Sequence, residues 1–217
     1  MELDNQHLAY EPVVENYANN DEPDPELRTR FHELFMQSLS GKNVLEVGCG
    51  PGHDAARLRD AGCTVTATDL CEGFIKYASD KYTDIDFQCM DLQEPTFPSD
   101  TFDGVFGSSC FCHIRQTNIG NILGKYYEIL KPGGLILMML SDSEQADGYV
   151  VEDWGDVEGN TVEMFFHNRN TLKNHLEDAG FEDVCITPLR SPFYEELPRL
   201  KKLAIRLYAI SARKAGA

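Results

Sequence analysis

Three short stretches carry the residues with the clearest chemical capacity. Val44 to Gly52 reads VLEVGCGPG, with glycines at 48, 50 and 52 directly after an apolar run. Glycines between a strand and a helix let the backbone pass close under a ligand, and they leave helix N–H groups pointing outward to meet it. Two acids follow. Asp69 closes TVTATD, about 20 residues on, where a carboxylate can accept both hydroxyls of a ribose. Asp91 lies in QCMDLQE, placed to accept from an adenine amino group while Leu92 offers its backbone N–H. The run GPGHDA also fits the G-x-G-x-x-A form of the dinucleotide fingerprint, so a nicotinamide or flavin nucleotide remains open on these residues alone.

The third stretch, FGSSCFCHI, sets Cys110, Cys112 and His113 almost side by side. A metal site needs a second Cys or His pair at structural spacing, and the other cysteines (49, 63, 71, 89 and 185) stand alone. A Cys-x-Cys bridge is strained, and nothing basic is near except His113 and Arg115. The two cysteines are therefore expected to be small packing residues and the chain to hold no metal. His113 becomes a candidate general base. A histidine that orients a loop or touches a cofactor without moving protons fits the same spacing.

These stretches need strand ends to position them, and the hydrophobic pattern supplies those ends. A helix from about Pro25 to Leu39 carries Leu27, Phe31, Leu34 and Phe35 at helical spacing. Then come the strand NVLEVG, the helix HDAARLRDAG, the strand CTVTATD, the helix EGFIKYASDKY and the strands IDFQCM and FDGVFGSS. The helix NIGNILGKYYEILKPGG is expected to end at Pro132-Gly133-Gly134, before the apolar strand LILMML. Alternation of this kind implies a mostly parallel sheet covered by helices on both faces. After Ser141 an acidic segment with scattered turn residues reaches about His167. A helix, RNTLKNHLEDAG, and two strand-like runs, EDVCITPL and LAIRLYAISAR, complete the chain. The whole, 1–217, reads as one α/β domain with an N-terminal flap over about 1–40 and an insertion over about 142–167.

Composition narrows the class of partner. The 217 residues are 42% hydrophobic and 25% charged, as in an ordinary soluble domain. With 36 acids against 19 bases the net charge is −17, the wrong sign for binding through nucleic-acid phosphates. No apolar run is long enough for a membrane span, and the first residues show no basic-then-apolar leader. Scattered cysteines, odd in number, point to a reducing, cytoplasmic setting. The acid is uneven: eight carboxylates lie between Asp142 and Glu163 with no Lys or Arg among them.

VLEVGCGPG, TATDLCEGFIKYA, CMDLQEPTFPSDTFDGV and ILKPGGLILMML follow in order at matching intervals. With them the chain resembles the class I S-adenosylmethionine-dependent methyltransferases, over roughly residues 25–213. The resemblance implies a Rossmann-like seven-stranded sheet, mostly parallel with its last strand antiparallel, and S-adenosylmethionine as cofactor. It would place Glu46 and the loop Gly48, Cys49, Gly50 and Gly52 around the methionine part, and Asp69 with Leu70 at the ribose. Met90, Asp91 and Leu92 would frame the adenine, with Gly107 and Ser108 against the amino and carboxylate groups. Tyr17, in the flap sequence VVENYA, would contact the site, and Arg30 would reach either the methionine carboxylate or a surface acid. His113 would stand between cofactor and acceptor.

Methyl transfer is an in-line displacement at an activated carbon, so alignment and exclusion of water matter most, and a hydroxyl acceptor profits from a base. No Asn-Pro-Pro-Tyr-like tetrapeptide follows the fourth strand, no Pro-Cys pair offers a nucleophile, and the paired acids of the magnesium-dependent type are missing. A small-molecule acceptor and metal-independent N- or O-transfer are therefore expected, in a monomer or homodimer with neither nucleic acid nor membrane as partner. The acidic segment, with Trp154, Phe165 and Phe166, would roof the acceptor pocket and suit an amine through charge pairing and cation–π contact. A solvated acidic surface explains the same carboxylates. An NAD(P)-dependent oxidoreductase and a catalytically silent S-adenosylmethionine-binding protein remain as alternatives.

Overall fold

The computed structural model describes residues 3–19, 24–191 and 203–216. Two short 3-10 helices, Leu3–Ala9 and Glu11–Val13, lead into α1 (Val14–Asn19) and α2 (Pro25–Ser38). The alternating core follows: β1 (Asn43–Val47), α3 (His53–Asp60), β2 (Thr64–Asp69), α4 (Glu72–Lys81), β3 (Asp86–Cys89), β4 (Phe102–Ser108), α5 (Gln116–Ile129) and β5 (Leu130–Asp142). After it come β6 (Gly148–Val151), β7 (Val162–Phe165), α6 (Arg169–Asp178), β8 (Phe181–Pro188) and β9 (Arg206–Lys214). The Pro-containing stretch expected to link the last two strands lies largely outside the described residues.

Seven strands form one sheet in the order β3-β2-β1-β4-β5-β9-β8. The pairings β3–β2, β2–β1, β1–β4 and β4–β5 are parallel, whereas β9 runs antiparallel to both β5 and β8. The expected Rossmann-like sheet with an antiparallel last strand is thus present. The run LILMML shows why helices must cover both faces. Leu135, Leu137 and Met139 join the core under α2 and α3, with Phe31, Phe35 and Leu58, while Ile136, Met138 and Leu140 join the core under α5 and α6, with Leu123, Tyr126 and Leu176. A strand buried on both faces has to be apolar throughout. Strand order reverses between β1 and β4, and the crevice outside their carboxyl ends is where open α/β sheets take ligands.

Two expectations need correction. The fifth helix stops at Ile129, and Lys131 to Gly134 form an irregular part of β5 instead of a helix end. Leu130 pairs with Phe102 and Leu135 with Gly104, so the intervening residues bulge, with Gly133 at φ 77°. The acidic segment is also more ordered than its turn residues suggested. β6 and β7 make an antiparallel hairpin, with Gly148 opposite Phe165 and Val151 opposite Val162. Asp153 and Asp156 take left-handed backbone in its loop (φ 50° and 61°), and Asp153 Oδ1 accepts from the Gly159 N–H at 2.7 Å. Aspartate tolerates that conformation better than most side chains. Asp142 is buried between Arg169 and Arg206, whose Nε atoms lie 2.6 and 2.9 Å from its oxygens. Several of the eight carboxylates therefore serve the fold.

Among the described residues no helix is long and apolar enough to cross a membrane.

Candidate cofactor and acceptor site

A cavity of about 370 Å³ opens at the carboxyl ends of β1, β2, β3 and β4. Gly48 and Gly50, at φ 63° and 51°, form one wall. A Cβ on Gly48 would sit 2.2 Å from the Cys110 Cβ, so only glycine lets the two loops close; the Cys110 thiol donates to the Val47 carbonyl at 3.1 Å. The Gly50 and Cys71 N–H groups donate to Asp69 Oδ2 and Oδ1, each at 2.9 Å. Burial raises the Asp69 pKa, and these N–H groups oppose the shift. A carboxylate oxygen accepts more than one hydrogen bond, so Asp69 can also take a diol in the cavity. Leu70, Met90, Asp91 and Leu92 share this end; Asp91 is steadied by the Gln93 N–H at 2.8 Å, and the Leu92 carbonyl accepts from Tyr126 at 2.6 Å. Ser108 Oγ reaches the cavity wall buried and without a partner.

Other residues expected at the cofactor lie behind this wall. Cys49 is buried off it. Gly52 caps the start of α3, where a Cβ would press on the Phe87 ring at 2.9 Å, and a Cβ on Gly107 would meet the Phe111 ring at 2.5 Å. Glu46 is 2% exposed beneath the glycine loop, with Oε2 unpartnered and its pKa pushed well up by burial and then by Asp54. Arg30 is exposed on α2. It is Arg28, with His32 and Arg57, that turns inward to the buried Asp54.

The acceptor end is built around His113. Its Nδ1 lies 3.2 Å from the Glu163 carbonyl on β7, which can only accept, so Nδ1 carries the proton. The bare Nε2 then accepts from the Tyr10 hydroxyl at 2.9 Å. Burial works against a charged His113, but the Cys112 sulfur, the Glu163 carbonyl and Asp69 outweigh it, and the pKa is raised. Desolvation, and then Tyr17, push the Tyr10 phenol well above its usual range. Tyr17 also lines the cavity, 5.5 Å from the Phe74 ring centroid.

The expected roof aromatics are placed differently. Trp154 packs against Tyr10 (5.5 Å) and Tyr17 (6.4 Å) from outside the cavity wall. Phe165 lies under the Arg115 guanidinium at 5.0 Å, and Phe166 is buried against Tyr149. Neither phenylalanine lines the cavity: Phe165 ends β7 beside Arg115, and Phe166, just after the strand, enters the core. Three residues that do line it, Gln6, His7 and Tyr10, went unrecognised in the sequence. Only Tyr10 had a signal: it stands seven positions before Tyr17, a two-turn helical interval. The segment is fastened by the Gly73 N–H to Glu11 at 3.3 Å and by Asn160 Nδ2, which donates to the Ala9 carbonyl at 2.8 Å and the Trp154 carbonyl at 2.9 Å.

Residues 19–186 match the sequence profile of a family described as "Methyltransferase domain". The chain belongs to this methyltransferase family. It is 29% identical over 157 residues to the malonyl-acyl-carrier-protein O-methyltransferase of Yersinia pestis, covering 70% of this chain and 55% of that protein. Among solved structures it is similar to the 4+2 cyclase SpnF (TM-score 0.74, 19% identity, 97% of this chain and 95% of that one). It is also similar to phosphoethanolamine N-methyltransferase 2 of Haemonchus contortus in complex with phosphomonomethylethanolamine and S-adenosylhomocysteine (TM-score 0.70, 18% identity, 96% and 57%). The chain thus spans little more than half of the Yersinia and Haemonchus proteins. The methyltransferase's cofactor is S-adenosylmethionine, and the residues present suit it: a paired carboxylate for a diol, a second one beside Leu92, and an unpartnered serine hydroxyl beside the glycine loop.

Proposed function

We propose that this methyltransferase transfers a methyl group from S-adenosylmethionine to nitrogen or oxygen of a small molecule, without a metal. The supporting observation is the Tyr10–His113 pair, set on the wall of the same cavity that Gly48, Gly50 and Asp69 line. When bound, the cofactor supplies an electrophilic methyl group on a positively charged sulfur. On this reading Asp69 takes the ribose hydroxyls, Asp91 and Leu92 meet the adenine, and Ser108 meets the amino-acid end. Tyr10 accepts the acceptor's proton as its own passes to His113 Nε2. The Glu163 carbonyl and Asp69 then support the resulting imidazolium. Trp154 and Asn160 hold Tyr10 in place and exclude water.

None of the described residues lining the cavity is Lys or Arg, while Asp69 and Asp91 are carboxylates and Tyr10, Tyr17 and Phe74 are aromatic. That balance disfavours a phosphorylated or carboxylated acceptor and favours a nitrogenous one. All seven cysteines are free, which supports a cytoplasmic setting.

Calorimetry with S-adenosylhomocysteine, together with mass spectrometry of molecules released from the purified protein, tests this reading. Binding of S-adenosylhomocysteine and a methylated product that disappears in His113→Ala are expected. Binding of NAD(P)H instead would overturn it. Tight cofactor binding with no methylated product from any acceptor would mark a silent binding protein.

A further inference from the structure

The Gln6 side chain lies on the cavity wall with both Oε1 and Nε2 buried and neither hydrogen-bonded, and the neighbouring His7 has its Nδ1 in the same condition. A carboxamide hidden from water with both ends unsatisfied is costly, and a ligand that pairs with it removes that cost. The unpartnered atoms of Ser108 and Glu46 belong with the glycine loop, where the cofactor is expected. Gln6 is on a different element, the 3-10 helix Leu3–Ala9 that leads directly to Tyr10. Gln6 thus stands four residues before Tyr10, and both line the same cavity.

A carboxamide presents a donor and an acceptor side by side, so its best partner is an edge with a C=O and an N–H on the same side. Cyclic lactams and primary carboxamides have such an edge, and simple amines, alcohols and phosphate esters do not. The other walls agree. Tyr10, Tyr17 and Phe74 offer faces and edges to a flat ring, and no Lys or Arg among the described lining residues would pair with an anion.

Resting on the methyl-transfer reading above, we propose that the acceptor is a flat nitrogen heterocycle or aromatic carboxamide, gripped at two points by Gln6. Nε2 donates to its carbonyl and Oε1 accepts from its N–H. The nitrogen to be methylated, a ring N–H, lies at Tyr10; as the N–CH3 bond forms and the bond from the methyl to the sulfonium breaks, its proton leaves through the Tyr10–His113 pair. His7 Nδ1 supplies a third contact at the same edge.

Ligand-observed NMR titration of the S-adenosylhomocysteine-loaded protein with uracil, nicotinamide and lumazine, set against ethanolamine and phosphoethanolamine, tests this. At least one of the first three should bind more tightly than either of the last two. Gln6→Leu, which keeps the volume and removes both polar atoms, should weaken that binding at least about tenfold and leave S-adenosylhomocysteine affinity unchanged. Gln6→Glu, which loses the donor, should weaken it too. Equal binding to wild type and Gln6→Leu, no binding of all three, or a preference for phosphoethanolamine would overturn the proposal and leave the methyl-transfer reading intact. Failure to bind S-adenosylhomocysteine at all would overturn both.

Discussion

At one end of the cavity Gly48, Gly50 and Asp69 are held by backbone: three parallel strands in fixed register, two N–H groups on one carboxylate, and a glycine whose own Cβ would collide with Cys110. At the other end Tyr10, Trp154 and His113 come from three separate segments and meet through side chains, a 2.9 Å hydrogen bond and ring contacts of 5.5 to 5.7 Å. Parallel strand ends give the same ligand the same cradle with little dependence on side-chain identity. An end made of side chains can be remodelled for a new acceptor without disturbing the sheet. The relatives fit this division: the Yersinia and Haemonchus proteins carry different acceptors in their names, and the structures share a fold at under 20% identity.

Substitutions can break this contrast. The largest effect is expected from His113→Ala, with turnover falling about 100-fold or more while calorimetric S-adenosylhomocysteine affinity stays the same. A large loss of cofactor affinity instead would show the two ends to be coupled. Gly48→Ala should behave in the opposite way. The combination of positive φ and the 2.2 Å approach to Cys110 should cost about 3 kcal/mol, read as a lowered Tm. Asp69→Ala should weaken cofactor binding about tenfold to 100-fold, since charged hydrogen bonds of about 1.5–3 kcal/mol are lost, and should also lower Tm, because the Gly50 and Cys71 N–H groups lose their acceptor.

Smaller effects sharpen the contrast. Asn160→Ala removes the bonds to Ala9 and Trp154 and should cost about 1 kcal/mol, with faster proteolysis within residues 3–19 and a raised acceptor KM at unchanged cofactor affinity. The smallest is a shift in pH dependence. His113 must be neutral to accept a proton, and its pKa is raised, so activity should climb with pH through a midpoint above the ordinary histidine value of about 6.5. Cys112→Ala removes one cause of that elevation and should move the midpoint down. A midpoint below the ordinary value in the wild type would contradict the base assignment.

The two ends also differ in how legible they were. Gly48, Gly50, Asp91 and His113 each follow a strand and Asp69 ends one, and a strand's position can be read from a short apolar run. Phe165 and Phe166 misled because FFHN does not say which way the cavity lies: one packs under Arg115 and the other against Tyr149. Charge counting misled similarly around Asp142 and Asp153, since a carboxylate held between two arginines or setting a loop looks the same in sequence as a solvated one.

Local patterning of the chain was enough to specify the alternating α/β order and the glycine–acid cradle, because each depends on residues close in sequence; the antiparallel last strand came from the family resemblance. Pairing Tyr10 with His113, and burying both polar ends of Gln6 beside them, depends on contacts more than a hundred residues apart along the chain. No local periodicity encodes such contacts. They arise only when the sheet has brought the N-terminal segment, the turn after β4 and the β6–β7 hairpin to one edge.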